Sequence, residues 1–249
     1  MRNTSTVDQH RPQQNALLAA LSSEVCERLA KDLELVPLTL GQILYESNET
    51  MSHAYFPIDC IVSLLYVMKN GESAEIAVVG NEGMIGIALF MGGDSTMSRG
   101  IVQNAGHAYR LKAQVLKDEF QAGGALTRLL LMFASALITQ MVQTAACNRH
   151  HQVDQQLCRW MLLSLDRLPS SRIIMTEKLI GNMMGLKPTD VRKVAGALES
   201  AGLIRYDAGE ITVIDREGVA KRSCECYGVV KKESDRLLPL AVEISQMKH

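Results

Sequence analysis

The segment Lys187-Pro-Thr-Asp-Val-Arg-Lys193 gathers side chains that can meet a polyanion and a patterned polar surface together. Lys187, Arg192 and Lys193 can approach phosphate oxygens, while Thr189 and Asp190, in the first turn of a helix opened by Pro188, can reach the edges of nucleobases. Lys193 suits guanine or phosphate, and Arg192 suits phosphate or solvent. Asp190 has two readings: a carboxylate accepting from a cytosine amino group, or an acidic residue that favours the N-terminal end of a helix dipole. From Arg172 to Tyr206 six basic residues stand against three acidic ones, a local balance of +3 in a chain whose formal charge is −1. A polyanionic partner must therefore be met by this segment and not by the molecule as a whole.

Other reactive residue types are spaced less favourably. Cys224-Glu225-Cys226 lacks the two-residue gap of a metal knuckle and no second pair stands nearby, so both cysteines read as small apolar helix residues and no metal is expected. Cys26 is the one cysteine in the first fifty residues, which argues against an iron–sulfur cluster. His150 and His151 point in opposite directions on a helix, which suits capping or hinge polarity better than chelation, and nothing singles out His53, His107 or His150 as a haem ligand. The β-rich region holds only His53 and His107, short of the histidine–carboxylate set of a metal-dependent jelly-roll enzyme. No Gly-x-Ser-x-Gly, phosphate loop or dinucleotide fingerprint occurs, so no enzymatic activity is expected.

The elements that must position Lys187–Lys193 follow from local chemistry. Thr176 is an N-cap for a helix Glu177–Met184, Gly185 a left-handed stop, and Pro188 the first residue of a helix to about Ala201. Val191, Val194, Ala195 and Leu198 give that helix an apolar face, leaving its polar face free. Leu203–Tyr206 and Ile211–Ile214 flank Asp207-Ala208-Gly209-Glu210 as a hairpin, and Asp215 caps a last helix from Arg216 to about Leu238, bounded by Pro239. Helix, glycine turn, helix, hairpin is the order of a winged helix-turn-helix.

Upstream, Asn15 to Leu33 predicts one helix, and Val36 to Leu111 a set of short antiparallel strands, with Lys69-Asn70-Gly71-Glu72 as a hairpin turn accepting positive φ at both central positions. From Ala125 a helix of about 25 residues carries Leu126, Leu130, Phe133, Leu137, Met141, Thr144 and Asn148 on one stripe. A further helix spans Gln152 to Leu168, ended by Pro169-Ser170-Ser171. The predicted class is α+β. The predicted division is a disordered tail (1–15), a β-roll, jelly-roll-like domain (16–124), a long helix (125–151) and a winged helix-turn-helix domain (152–249). The start lacks an apolar signal region, no uninterrupted apolar run reaches membrane-spanning length, and the six cysteines are scattered; a cytoplasmic protein with reduced thiols and no membrane partner is expected.

The run Met175-Thr-Glu-Lys-Leu-Ile-Gly-Asn-Met-Met-Gly-Leu-Lys-Pro-Thr-Asp-Val-Arg-Lys-Val-Ala-Gly-Ala-Leu-Glu-Ser-Ala-Gly-Leu-Ile204 resembles the helix-turn-helix of the Crp/Fnr superfamily without a gap. The resemblance is strong over 152–230 and architectural over 16–125, and it implies that 16–124 is a sensor domain, 125–151 a dimerisation helix and 152–249 a DNA-binding domain. It implies a homodimer on near-palindromic double-stranded DNA, with Thr176, Lys187, Thr189, Asp190, Arg192 and Lys193 at the DNA. It implies Leu126, Leu130, Phe133, Leu137, Met141 and Thr144 at the dimer seam, with burial on the sensor domain as the other reading of that stripe. RNA polymerase and a small effector are the further partners it implies. Where such helices commonly open with Ser-Arg-Glu, this one has Lys187-Pro188-Thr189, which implies a different half-site. The effector pocket maps to Gly86-Ile87, Ser98-Arg99 and Met141-Val142. The first and third places lack the glutamate and the Thr-Ser pair that hold a cyclic nucleotide, so the resemblance implies an effector other than cyclic AMP, or none. A cyclic-nucleotide sensor and a protein-contact adaptor without DNA affinity are the alternatives.

Overall fold

The computed structural model describes residues 10–168, 170–207 and 209–238. Asn15 anchors the start of the packing: its buried amide accepts from the N–H groups of Leu17 and Leu18 and donates to the carbonyls of Pro57 and Gly83. The expectation of a disordered tail through residue 15 is thus corrected, since the Tyr109 hydroxyl also donates to the His10 carbonyl at 2.8 Å; residues 1–9 lie outside the described residues. The single helix expected over 15–33 is two, α1 (Ala16–Ala19) and α2 (Ser23–Ala30), because Ser22 caps a new start by accepting from the Val25 N–H.

Seven strands follow: β1 (Glu34–Leu38), β2 (Ile43–Tyr45), β3 (His53–Pro57), β4 (Ile61–Val67), β5 (Ser73–Val79), β6 (Ser98–Asn104) and β7 (Gly106–Lys112). They form two antiparallel sheets, ordered β1-β7-β3 and β2-β6-β4-β5, around Phe56, Met84, Ile85 and Leu111. The β4–β5 hairpin lies at Lys69–Glu72 as expected, but only Gly71 is left-handed (φ 84). Asn70 instead accepts from the Glu72 N–H, within a five-residue loop closed by Met68 N–H to the Glu72 carbonyl.

After α3 (Ala113–Ala122), Gly123 and Gly124 turn the chain at φ 77 and 96 into α4 (Ala125–His150). Leu126, Leu130, Phe133 and Leu137 sink into the β-roll core, and Thr144 is buried as well; Met141 packs at its margin. A Cβ on Gly83 would fall on the Phe133 ring, so the glycine permits the close approach. Gln140 closes the edge of the four-stranded sheet: its side chain accepts from the Val78 N–H (2.8 Å) and donates to the Val78 carbonyl (3.1 Å). The predicted seam stripe is therefore covered by the chain itself, Leu126 to Leu137 by the β-roll core and Thr144 by Arg159. The open face of α4 runs through Leu131, Ser135, Ile138 and Val142, the last 59% exposed. By length and composition α4 is also apolar enough to cross a membrane, but one side is seated on the β-roll and pinned by a buried amide.

The C-terminal unit comprises α5 (Val153–Leu165), β8 (Arg172–Ile174), α6 (Glu177–Met184), α7 (Pro188–Ser200), β9 (Ile204–Asp207), β10 (Glu210–Val213), α8 (Arg216–Arg222) and α9 (Glu225–Leu237). β8 was not foreseen; it completes a sheet ordered β8-β10-β9. The one helix expected over 216–238 breaks at Ser223-Cys224, where extended backbone starts α9. Pro169, Ala208 and Pro239, invoked as a helix stop, part of a hairpin bend and a terminator, lie outside the described residues.

This unit docks on the β-roll. Leu65 of β4 joins the core built by Leu157, Met161, Ile180, Met183, Val191 and Leu198. Gln103 donates to Ser164 at 3.0 Å, Ser73 donates to the Asn182 carbonyl at 3.1 Å, and Arg167 pairs with Glu82 at 2.6 Å, their side chains 8% and 13% exposed.

Candidate nucleic-acid interface

Thr176 Oγ1 accepts from the Leu179 N–H and starts α6. Gly181 is buried, and a Cβ there would stand 2.6 Å from the Leu186 carbonyl oxygen, so a glycine lets the turn fold back on its own helix. Gly185 (φ 67) then ends α6, and Lys187, in extended conformation, leads to Pro188 at the first position of α7. Val191, Ala195 and Leu198 face the core, while Lys187, Pro188, Thr189, Asp190, Arg192, Lys193, Gly196 and Ala197 are exposed.

The six expected DNA-facing residues divide by what already occupies them. Thr176 is engaged as a cap. Arg192 ties α7 to α6 by donating to Glu177 at 3.1 Å; the backbone N–H of Glu177, followed by Arg192, holds that carboxyl below the usual range. Lys187, Thr189, Asp190 and Lys193 have no side-chain hydrogen bond or ion pair among the described residues and share the open end of α7. Together they present two cations, a hydroxyl and a carboxylate to a groove-sized partner.

The expected effector residues are placed less coherently. Gly86 (φ 106) and Ile87 open a single 3-10 turn, Ser98 bonds with Tyr45 and Thr96, and Val142 faces outward from α4. Arg99, expected in the effector pocket, pairs with Glu46 at 2.7 Å. No hydrogen bond or ion pair joins any of these three pairs to another among the described residues. A pocket of about 470 Å³ opens elsewhere, between α1, the start of α4 and the end of α9, lined by Leu17, Arg128, Met132 and Leu237.

Two polar clusters were hidden from sequence spacing. Asp59 accepts from the His107 N–H, and its other oxygen lies 3.3 Å from His10 Nε2 and 3.4 Å from His107 Nδ1. The count of histidines in the β region thus missed His10, which arrives from upstream of the strands; the backbone bond makes Asp59 a turn lock. Contrary to the expectation that no second pair stands near Cys224-Glu225-Cys226, Cys147 and His151, one turn apart at the end of α4, join them in space, all four ligand atoms lying within 4.8 Å of one another. Only the four-residue interval between Cys147 and His151 hinted at this.

β-roll, long helix and winged helix-turn-helix in this order define a two-domain class whose second domain has the architecture of DNA-binding modules. Residues 155–222 match the Crp-like helix-turn-helix domain family, and the chain as a whole has the fold of Crp/Fnr transcription regulators. A Crp/Fnr regulator from Eubacterium rectale superposes with TM-score 0.65 at 11% identity, covering 82% of this chain and 96% of that one. FixK2 from Bradyrhizobium japonicum gives 0.64 at 14%, covering 77% and 98%. The c-di-GMP-responsive regulator CLP of Xanthomonas campestris gives 0.59 at 13%, covering 77% and 99%. Comparison with curated protein sequences returns no match.

Proposed function

We propose that the chain is a sequence-specific, DNA-binding transcription regulator of Crp/Fnr type, acting as a homodimer on a near-palindromic site. The observation that carries this reading is the open, unpaired end of α7, with Lys187, Thr189, Asp190 and Lys193 presented by a fold segment that matches the Crp-like domain. Phosphate contacts from Lys187 and Lys193 supply affinity, and Thr189 and Asp190 reach base edges. Two copies joined along Leu131, Ser135, Ile138 and Val142 of α4 would set two α7 helices on successive major grooves. The Arg99–Glu46 pair supports an effector other than cyclic AMP, or none, because a cyclic phosphate would first have to displace a carboxylate.

Fluorescence anisotropy on DNA selected from a random pool tests the reading. Binding should weaken steeply with salt. Lys193→Ala should lower affinity for every sequence and shrink the salt slope by about 1. Thr189→Val should cost about 1–3 kcal/mol on the selected site alone. Absence of salt-sensitive binding to any DNA would overturn the assignment.

A further inference from the structure

We propose that Cys147, His151, Cys224 and Cys226 form a four-coordinate zinc site that staples the end of α4 to the start of α9. Three thiolates and one imidazole are a standard structural zinc set, and soft sulfur ligands favour zinc over magnesium or calcium. The spacing is that of a single ion. Tetrahedral zinc with bonds of about 2.3 Å to sulfur and about 2.0 Å to nitrogen places its ligand atoms roughly 3.5–3.8 Å apart. Here Cys147 Sγ and Cys224 Sγ are 3.5 Å apart, and Cys226 Sγ and His151 Nδ1 are 3.6 Å apart.

The surroundings supply two further observations. His151 turns Nδ1 toward the sulfurs, while its Nε2 lies 3.2 Å from a carboxylate oxygen of Glu225, the carboxylate–histidine arrangement that orients a metal-bound imidazole. Beside the cluster lies Arg159, 6% exposed: its Nη2 donates to Thr144 Oγ1 at 3.1 Å, and its Nε and Nη1 have no hydrogen-bond partner. Zinc with three thiolates and a neutral imidazole carries a net charge of −1, which compensates this buried guanidinium. An iron–sulfur cluster, whose cysteines ligate different irons, would spread the sulfurs further apart.

The site bridges the link between the two domains. Cys147 belongs to the helix seated on the β-roll, whereas Cys224 and Cys226 enter from the DNA-binding unit, with Gln152 alone between the His151 cap of α4 and α5. An ion there restrains the angle at that junction.

The full chain, purified under reducing, oxygen-free conditions, should contain about one zinc per chain by elemental mass spectrometry. After chelation, titration with cobalt(II) should give the intense visible bands of a tetrahedral thiolate centre. His151→Asn, at the margin of the cluster, and Cys224→Ser should each lower metal retention at least tenfold, Glu225→Gln should weaken it by about 10–100-fold, and Cys158→Ser, a buried cysteine outside the cluster, should leave it unchanged. Circular dichroism of each variant separates lost metal from lost fold. Reduced wild-type chain that takes up neither zinc nor cobalt overturns the proposal, as does a folded Cys224→Ser chain that keeps its metal. A Cys147–Cys224 disulfide in protein that binds no metal after reduction also overturns it. None of these readings involves DNA, so the site stands or falls apart from the regulator assignment.

Discussion

Gln140 illustrates how one side chain can finish a sheet. Its amide reproduces both bonds that a neighbouring strand would offer Val78. Gln140→Leu keeps the volume and strips both partners from a buried peptide unit, so urea denaturation should show a loss of about 2–4 kcal/mol, with the fold retained. Loss of less than about 0.5 kcal/mol would mean that solvent reaches Val78. Such a role has no sequence signature: a lone glutamine on an apolar stripe reads as a register irregularity until the strand edge it covers is known. The free end of α7 was legible, because a cap, a glycine stop and a proline start are short-range rules. The occupation of Arg192 by Glu177 was not, because it depends on how two helices cross.

Among elements, α4 shows what periodicity can and cannot say. The apolar stripe Leu126–Thr144 correctly announced a long amphipathic helix, yet a stripe does not state what covers it. Here the β-roll does, and the residues between the stripe's members make a second, exposed apolar line. That line is the seam of the proposed dimer, for which Ile138→Asp should convert a dimer to a monomer in light scattering while leaving the thermal transition of the β-roll within a few degrees. A dimer that survives the substitution would move the seam elsewhere. β8 and the break at Ser223-Cys224 escaped sequence reading for related reasons: Arg172–Ile174 is too short to show alternation, and a Ser-Cys step is no general helix breaker, so tertiary pairing decides both.

For the whole molecule, a titratable group stands where the two domains dock. Glu75 is half-buried at the junction, and desolvation of its carboxyl among the packed side chains pushes it up to about 7. Ser63 Oγ lies 2.7 Å from both Glu75 Oε2 and Gln103 Oε1. One hydroxyl hydrogen cannot serve both acceptors, and a protonated Glu75 completes the set by donating to Ser63. The folded value lies above the ordinary 4.5, so the contribution is whole below about pH 4.5. It declines as pH rises through the interval to about 7, by at most about 3 kcal/mol. Glu75→Gln should flatten that part of the stability profile, seen as a denaturation midpoint that exceeds wild type at pH 8 and approaches it at pH 4.5. Parallel profiles would exclude Glu75 as the titrating group.

The Gln140 amide also has a bearing on how many copies behave together. An unpaired strand is a template onto which another molecule can add itself, and by laying a helix across β5 and saturating Val78, the chain removes that template on one side. The opposite margin is β2, three residues long and irregular where it meets β6. Lateral addition to the four-stranded sheet is thereby hindered at both of its margins, next to a helix that keeps an apolar face uncovered.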